Sequence, residues 1–287
     1  MGDIIIPSSL KNASYYKLQV GTKSLKLSVF ETENVIHLYI GGPSLYCIYA
    51  TIHTEQSLFV SHGIHDKSVG TLEQIYYNKS CSLEHNFVRG VDTNMIIKVL
   101  ITYIKRTYKY VRTLQFNDAS TRTCNNSIPV SLASMTYLYS GSTWYQKNFN
   151  AYLSDDYSSR FASLVQAYNE RKLQYTWEMF RDLYAKGPLP LSEDELTGLF
   201  SQAPTWQYFF ASIVEQIGIS EFCNFVSPWL TNFMRQVMKH DIILFPYLLN
   251  LDNFKNIQYT ITPYTNVGGC RRKFTRKTQR KIPQNEL

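Results

Sequence analysis

At 287 residues, with 44% hydrophobic and 18% charged residues, the chain is long enough for one large domain or two ordinary ones. It is too apolar to be a disordered protein, a coiled coil or a collagen-like repeat. The formal charge of +7 is concentrated rather than spread: residues 271–287 carry seven basic side chains and one acid, which leaves 22 basic and 21 acidic residues in 1–270. That near-neutral body disfavours a nucleic-acid-binding module as the folded part.

The five cysteines (Cys47, Cys81, Cys124, Cys223, Cys270) are widely spaced and odd in number, so their spacing implies no disulfide framework. The first ten residues lack the basic region of a secretory signal, and the expectation is a chain kept in a reducing compartment, with the sequons at Asn12, Asn78 and Asn125 unused. No apolar run approaches the roughly 18 to 20 residues of a membrane span. The longest candidate, 242–251, is interrupted by Pro246.

In chain order, β-branched and aromatic residues at 15–20, 25–30, 35–40, 45–52 and 57–60, several of them separated by turn residues, predict an antiparallel meander. A further strand is expected over 72–77. The period then changes: Asn94, Lys98, Thr102 and Lys105 recur every three or four residues among apolar ones, which predicts a helix over 93–108. A strand over 110–116 and a helix over 130–139, stopped at Gly141, complete a right-handed α/β crossover. Strand signals then fade. Helices are expected over 154–172 and 175–186, after a capping box at Ser192 and Glu195, and over 205–217 and 229–240 behind Pro204 and Pro228. A last strand over 257–261 could return to the first sheet. The fold class expected is an α/β domain with a mixed sheet (1–153), a helical domain (154–265) and a basic tail (266–287).

The most informative stretch is 72–153, in which strand, Arg89-Gly90, helix, strand and helix precede Tyr145-Gln146-Lys147-Asn148-Phe149. This order resembles the GNAT acetyltransferase superfamily, where a glycine-bearing turn opens the helix after the fourth strand and its amides hold the pyrophosphate of acetyl-CoA. Free first-turn amides and the helix dipole make such a turn an anion site. The resemblance implies acetyl-CoA as cofactor with Arg89, Gly90 and Thr93 at its phosphates, and Tyr145 as general acid for the departing thiolate; Glu73, on the preceding strand, is the best-placed base. Asp92 stands where the family has its second glycine, an N-cap that occupies helix-end donors and repels phosphate. Asn148 replaces a motif glycine as well.

The Tyr- and Asn-rich texture, the phrase Gly141-Ser142-Thr143-Trp144-Tyr145 and the basic C-terminus are also similar to proteins of nucleocytoplasmic large DNA viruses, which implies a host cytoplasm, virus factory or virion, with the nucleus as a further option. Two classes of function therefore stand: an N-acyltransferase acting on an unknown amine, and a non-catalytic viral structural or interaction protein. In the second, Arg271, Arg272, Lys273, Arg276 and Lys277 touch nucleic acid, serve nuclear import or merely solubilise the chain.

Other chemistries have weaker support. His62, His65, Cys81 and His85 lack the tight Cys-x2-Cys knuckle of structural zinc sites, and no metal is expected. Ser120 has no nucleophile elbow around it, and Asp118 is expected to cap the following turn. Trp206, Phe209 and Phe210, with Tyr208, read as core rather than as a ligand box. Trp144 either walls a cleft beside Tyr145 or closes the core beneath it.

Overall fold

Period-two alternation builds the first half of the chain. In β3 (Val35–Gly42), Ile36, Leu38 and Ile40 are buried, while His37 and Tyr39 point to the opposite face. The computed structural model describes residues 12–42, 45–54, 67–75, 81–88, 91–118, 120–239 and 245–264. The expected strand at 57–60, the turn residues Arg89 and Gly90, and the whole basic tail lie outside the described residues.

With β1 (Asn12–Val20), β2 (Lys23–Glu31), β4 (Leu45–His53) and β5 (Val69–Ile75), β3 forms the expected antiparallel meander. Helix α1 (Val91–Thr107) then crosses the sheet, burying Ile97, Leu100, Ile101 and Ile104 at helical spacing, and delivers β6 (Thr113–Asn117) parallel to β5. A small hairpin of β7 (Thr121–Thr123) and β8 (Pro129–Ser131) leads into α2 (Leu132–Ser140), α3 (Trp144–Phe149) and the two-residue strand β9 (Tyr152–Leu153).

Next come α4 (Asp155–Glu170), α5 (Trp177–Leu183), α6 (Glu193–Gln202), α7 (Trp206–Val226) and α8 (Leu230–Phe233). Ser192 and Glu195 form the expected capping box on α6. Pro204 and Pro228 precede the caps rather than occupying first turns: Thr205 caps α7, and α8 begins only at Leu230. Helix α7 also outruns its expected end at 217, passing a non-helical Gly218 on the way to Val226.

The chain returns through β10 (Pro246–Asn250) and β11 (Thr260–Pro263), giving a nine-stranded sheet in the order β11-β1-β2-β3-β4-β5-β6-β10-β9. The fold is thus a large mixed sheet with several helices. β10 corrects the sequence expectation, which left 246–250 among the helices. Tyr247 and Leu249 are buried on alternate positions, and Pro246, having no N–H to give, occupies the first strand position, where none is required. β11 pairs with β1, so the expected closing strand does return to the sheet.

A single apolar cluster joins the sheet, α1 and the later helices. Among the helices it is aromatic: the rings of Phe200, Trp206, Phe209, Trp229 and Phe233 stand 5.4–6.0 Å from that of Phe180. Trp206, Phe209 and Phe210 are wholly buried, as expected of core residues, whereas Tyr208 is exposed. Lys172 is buried beside them, its ammonium 3.4 Å from the Phe200 centroid, so that the ring faces stand where a counter-ion would otherwise be needed.

Two disulfides overturn the expectation of none. Cys47 of β4 joins Cys81 ahead of α1, and Cys124 in the β7–β8 turn joins Cys223 of α7, with Cα separations of 5.9 and 5.5 Å. The partners lie 34 and 99 residues apart in sequence, which is why spacing could not pair them. The pairing removes one ground for expecting a reducing compartment. It also commits Cys81, one of the four zinc ligands considered. No described helix is long and apolar enough to cross a membrane.

Candidate functional site between β5 and β6

The parallel pair holds for only three steps, Val69 with Thr113, Gly70 with Leu114 and Thr71 with Gln115. Close approach there requires Gly70, since a Cβ at that position would meet Leu114 Cδ2 at 2.9 Å. Beyond Thr71 each strand follows its outer neighbour. β5 stays with β4 through a bulge at Tyr49/Ala50, and β6 stays with β10. The strands part at their carboxyl ends, the place where open α/β sheets bind ligands. The gap is a cavity of about 200 Å³ lined by Leu72, Glu73, Gln74, Ile75, Phe116, Asn117, Ser120 and Tyr145.

Both proposed catalytic side chains line this cavity. Glu73 comes from β5 and accepts a hydrogen bond from Thr51 Oγ1 at 2.9 Å. Gln74 beside it accepts one from the Tyr46 hydroxyl. Tyr145 comes from α3. The Thr143 side chain and Gln146 form a capping box around the start of that helix, and Asn150 closes it in the left-handed region at φ 55°. The Tyr145 ring is tilted on Phe116 at 4.5 Å and edge-on to Trp144 at 5.0 Å, and its hydroxyl lies 3.3 Å from Ser120 Oγ. Trp144 does not line the cavity; it packs behind Tyr145 and Phe149. Asn148, at the motif's glycine position, donates its amide to the Trp144 carbonyl.

Burial, followed by the charge of Asp118, pushes the Tyr145 phenol well above the ordinary tyrosine range. Asp118 itself is fully buried at the end of β6, and burial raises its carboxyl to about 7. The nearby hydroxyl and amide of Ser120 oppose that shift, yet neither Asp118 oxygen has a hydrogen-bond partner. The turn cap expected of Asp118 is therefore not formed. The Tyr247 phenol on β10 is likewise raised, by burial and then by Asp118.

Of the expected phosphate contacts, Arg89 and Gly90 lie outside the described residues. Thr93 sits in the first turn of α1 and is not among the cavity's lining residues. Asp92 corrects the sequence reading. It is the second residue of α1 rather than its N-cap, its carboxylate accepts the Val88 amide at 2.6 Å, and Lys23 of β2 lies 3.1 Å away as its counter-ion. Arg271, Arg272, Lys273, Arg276 and Lys277, the contacts expected for nucleic acid, fall outside the described residues, as do His62 and His65. Among the described residues no group of three or more His, Cys, Asp or Glu is arranged to hold a metal.

Sequence reasoning gave Ser120 and Asp118 no part in the site, reading the one as a serine without a nucleophile elbow and the other as a turn cap. Their one signal was position, directly after a strand whose carboxyl end proves to face the gap. Comparison with protein-family models, curated proteins and solved structures gives no match, so the site is read from its own chemistry.

Proposed function

We propose that the chain is an acyl-CoA-dependent N-acyltransferase whose reaction takes place in the gap between β5 and β6. The observation that carries this reading is the cavity itself. It lies at the carboxyl ends of a splayed parallel pair joined by α1, with a carboxylate, Glu73, on one strand and a phenol, Tyr145, on the facing helix. A volume of about 200 Å³ suits the reacting ends, a thioester and an amine, rather than an entire cofactor. Glu73 takes the proton that an ammonium acceptor must lose before its lone pair can attack. Tyr145 gives a proton to the sulfur that leaves. The phosphates belong with Arg89, Gly90 and Thr93 at the start of α1, where the dipole favours anions and Lys23 already offsets the Asp92 charge.

Calorimetric titration of the full chain with acetyl-CoA tests the reading. Saturable binding is expected, together with a rise in melting temperature that corresponds to about 2.7 kcal/mol at a ligand concentration of 100 times Kd. Tyr145→Phe is expected to preserve that binding and to slow thiol release about 100-fold or more. Absence of binding at millimolar acetyl-CoA overturns the assignment and leaves the non-catalytic class.

A further inference from the structure

The β7–β8 turn combines two features that belong to one compartment. Four of the five cysteines are paired, and Cys124, which opens this turn, is bonded to Cys223 of α7. Such bonds form and persist in oxidising surroundings, among them the lumen of the secretory pathway, and in secreted chains Asn-x-Ser/Thr is a sugar acceptor. Directly after Cys124 stands such a sequence, Asn125-Asn126-Ser127.

The geometry of the turn sets Asn125 apart. The Ser127 amide donates to the Cys124 carbonyl at 2.9 Å, so Asn125 and Asn126 are the two central residues of a β-turn, and Ser127 follows in the left-handed region at φ 65°. Both ends of the Asn126 carboxamide are engaged. Its Nδ2 donates to Ser227 Oγ at 2.7 Å and to the Asn224 carbonyl at 3.3 Å, and its Oδ1 accepts the Ile128 amide at 3.2 Å. Asn125 is held by its backbone alone, whose amide donates to Asn224 Oδ1 at 2.9 Å. Among the described residues neither its carboxamide nor the Ser127 hydroxyl has a partner. Residues 125–129 are all exposed, so a group added there displaces no packed side chain.

We propose that Asn125 is a site of N-linked glycosylation, an inference independent of the acyltransferase reading. The donor is a lipid-pyrophosphate-linked oligosaccharide of the secretory lumen. The Asn125 amide nitrogen bonds to the anomeric carbon of the sugar, and the bond from that carbon to the pyrophosphate oxygen breaks. Its electron pair leaves on the pyrophosphate, and the surplus amide proton goes to the base of the cell's transferase, so nothing is oxidised or reduced. The product carries a bulky, solubilising group on the hairpin beside α7. Entry into the lumen is part of the proposal and reverses the expectation drawn from the first ten residues.

The test expresses the full chain, with its own N-terminus, in cultured animal cells and maps its peptides without reduction. Enzymatic removal of N-linked sugar in oxygen-18 water turns a modified asparagine into an aspartate bearing the heavy isotope. The label is expected at Asn125, in the peptide that Cys124 links to Cys223. Asn125→Gln is expected to lose the label and the accompanying gel shift while keeping the disulfide. Ser127→Gly should do the same, since it removes the acceptor sequence while glycine suits the left-handed φ.

An unlabelled Asn125 overturns the proposal, whether Cys124 and Cys223 are found bonded or free. So does a label confined to Asn12 or Asn78. A label at Asn125 that survives Ser127→Gly overturns it as well, because it reports deamidation rather than a sugar.

Discussion

Burial of Asp118 ties folding stability to pH in the direction opposite to that of a salt-bridged carboxylate. Its carboxyl ionises near 3.8 in the unfolded chain and at about 7 in the folded one, so the fold prefers the protonated form. The contribution is fully present below about pH 4 and is lost as the pH rises through about 7, a swing on the order of 4 kcal/mol. Asp118→Asn removes that dependence. Measured by urea unfolding, the variant's stability relative to the native chain should be higher at pH 8 than at pH 5, and an equal difference at both values would show that Asp118 ionises normally. Tyr145 and Glu73 were legible in sequence because a motif and a strand position point to them. Asp118 was not, since what makes it unusual is the packing around it, and local spacing suggests only a turn cap.

At the scale of the element, α3 decides where Tyr145 stands. A six-residue helix has too few hydrogen bonds to persist by propensity, and its ends hold it: the capping box of Thr143 and Gln146, and left-handed residues at Gly141 before it and Asn150 after it. Thr143→Ala should therefore cost about 1 kcal/mol in denaturant unfolding and displace Tyr145; unchanged stability would mean that the helix is held by packing alone. The Thr-x-x-Gln spacing is as readable as the Ser-x-x-Glu spacing at 192–195. The long amphipathic helices were legible from periodicity and caps. β10 was less so, because five residues opening on proline read as a loop or helix end until neighbouring strands accept them.

On the scale of the whole molecule, the helices α4 to α8 leave the sheet at β9 and rejoin it at β10, and the two strands are neighbours. The helical region is thus held at both ends, and the Cys124–Cys223 bond ties α7 to the hairpin that follows β6. Closing a loop of 99 residues restricts the unfolded chain by about 4 to 5 kcal/mol. Reduction, which opens both bonds, is therefore expected to lower the melting temperature by many degrees, and Cys124→Ala with Cys223→Ala should reproduce about half of that loss, the Cys47–Cys81 bond accounting for the rest. A reduced protein that melts with the oxidised one would rule out the bond as a stabilising feature.

Composition and periodicity by themselves determined the meander, the crossover helix, the long helices and the position of Tyr145 after a glycine-capped helix, because these depend on residues close together in the chain. The disulfide partners, the insertion of β10 beside β6, the parting of β5 from β6 and the burial of Asp118 were decided only by the tertiary structure. Each of these brings together residues far apart in sequence. Their cost in chain entropy is met by the shared core, which no local pattern encodes.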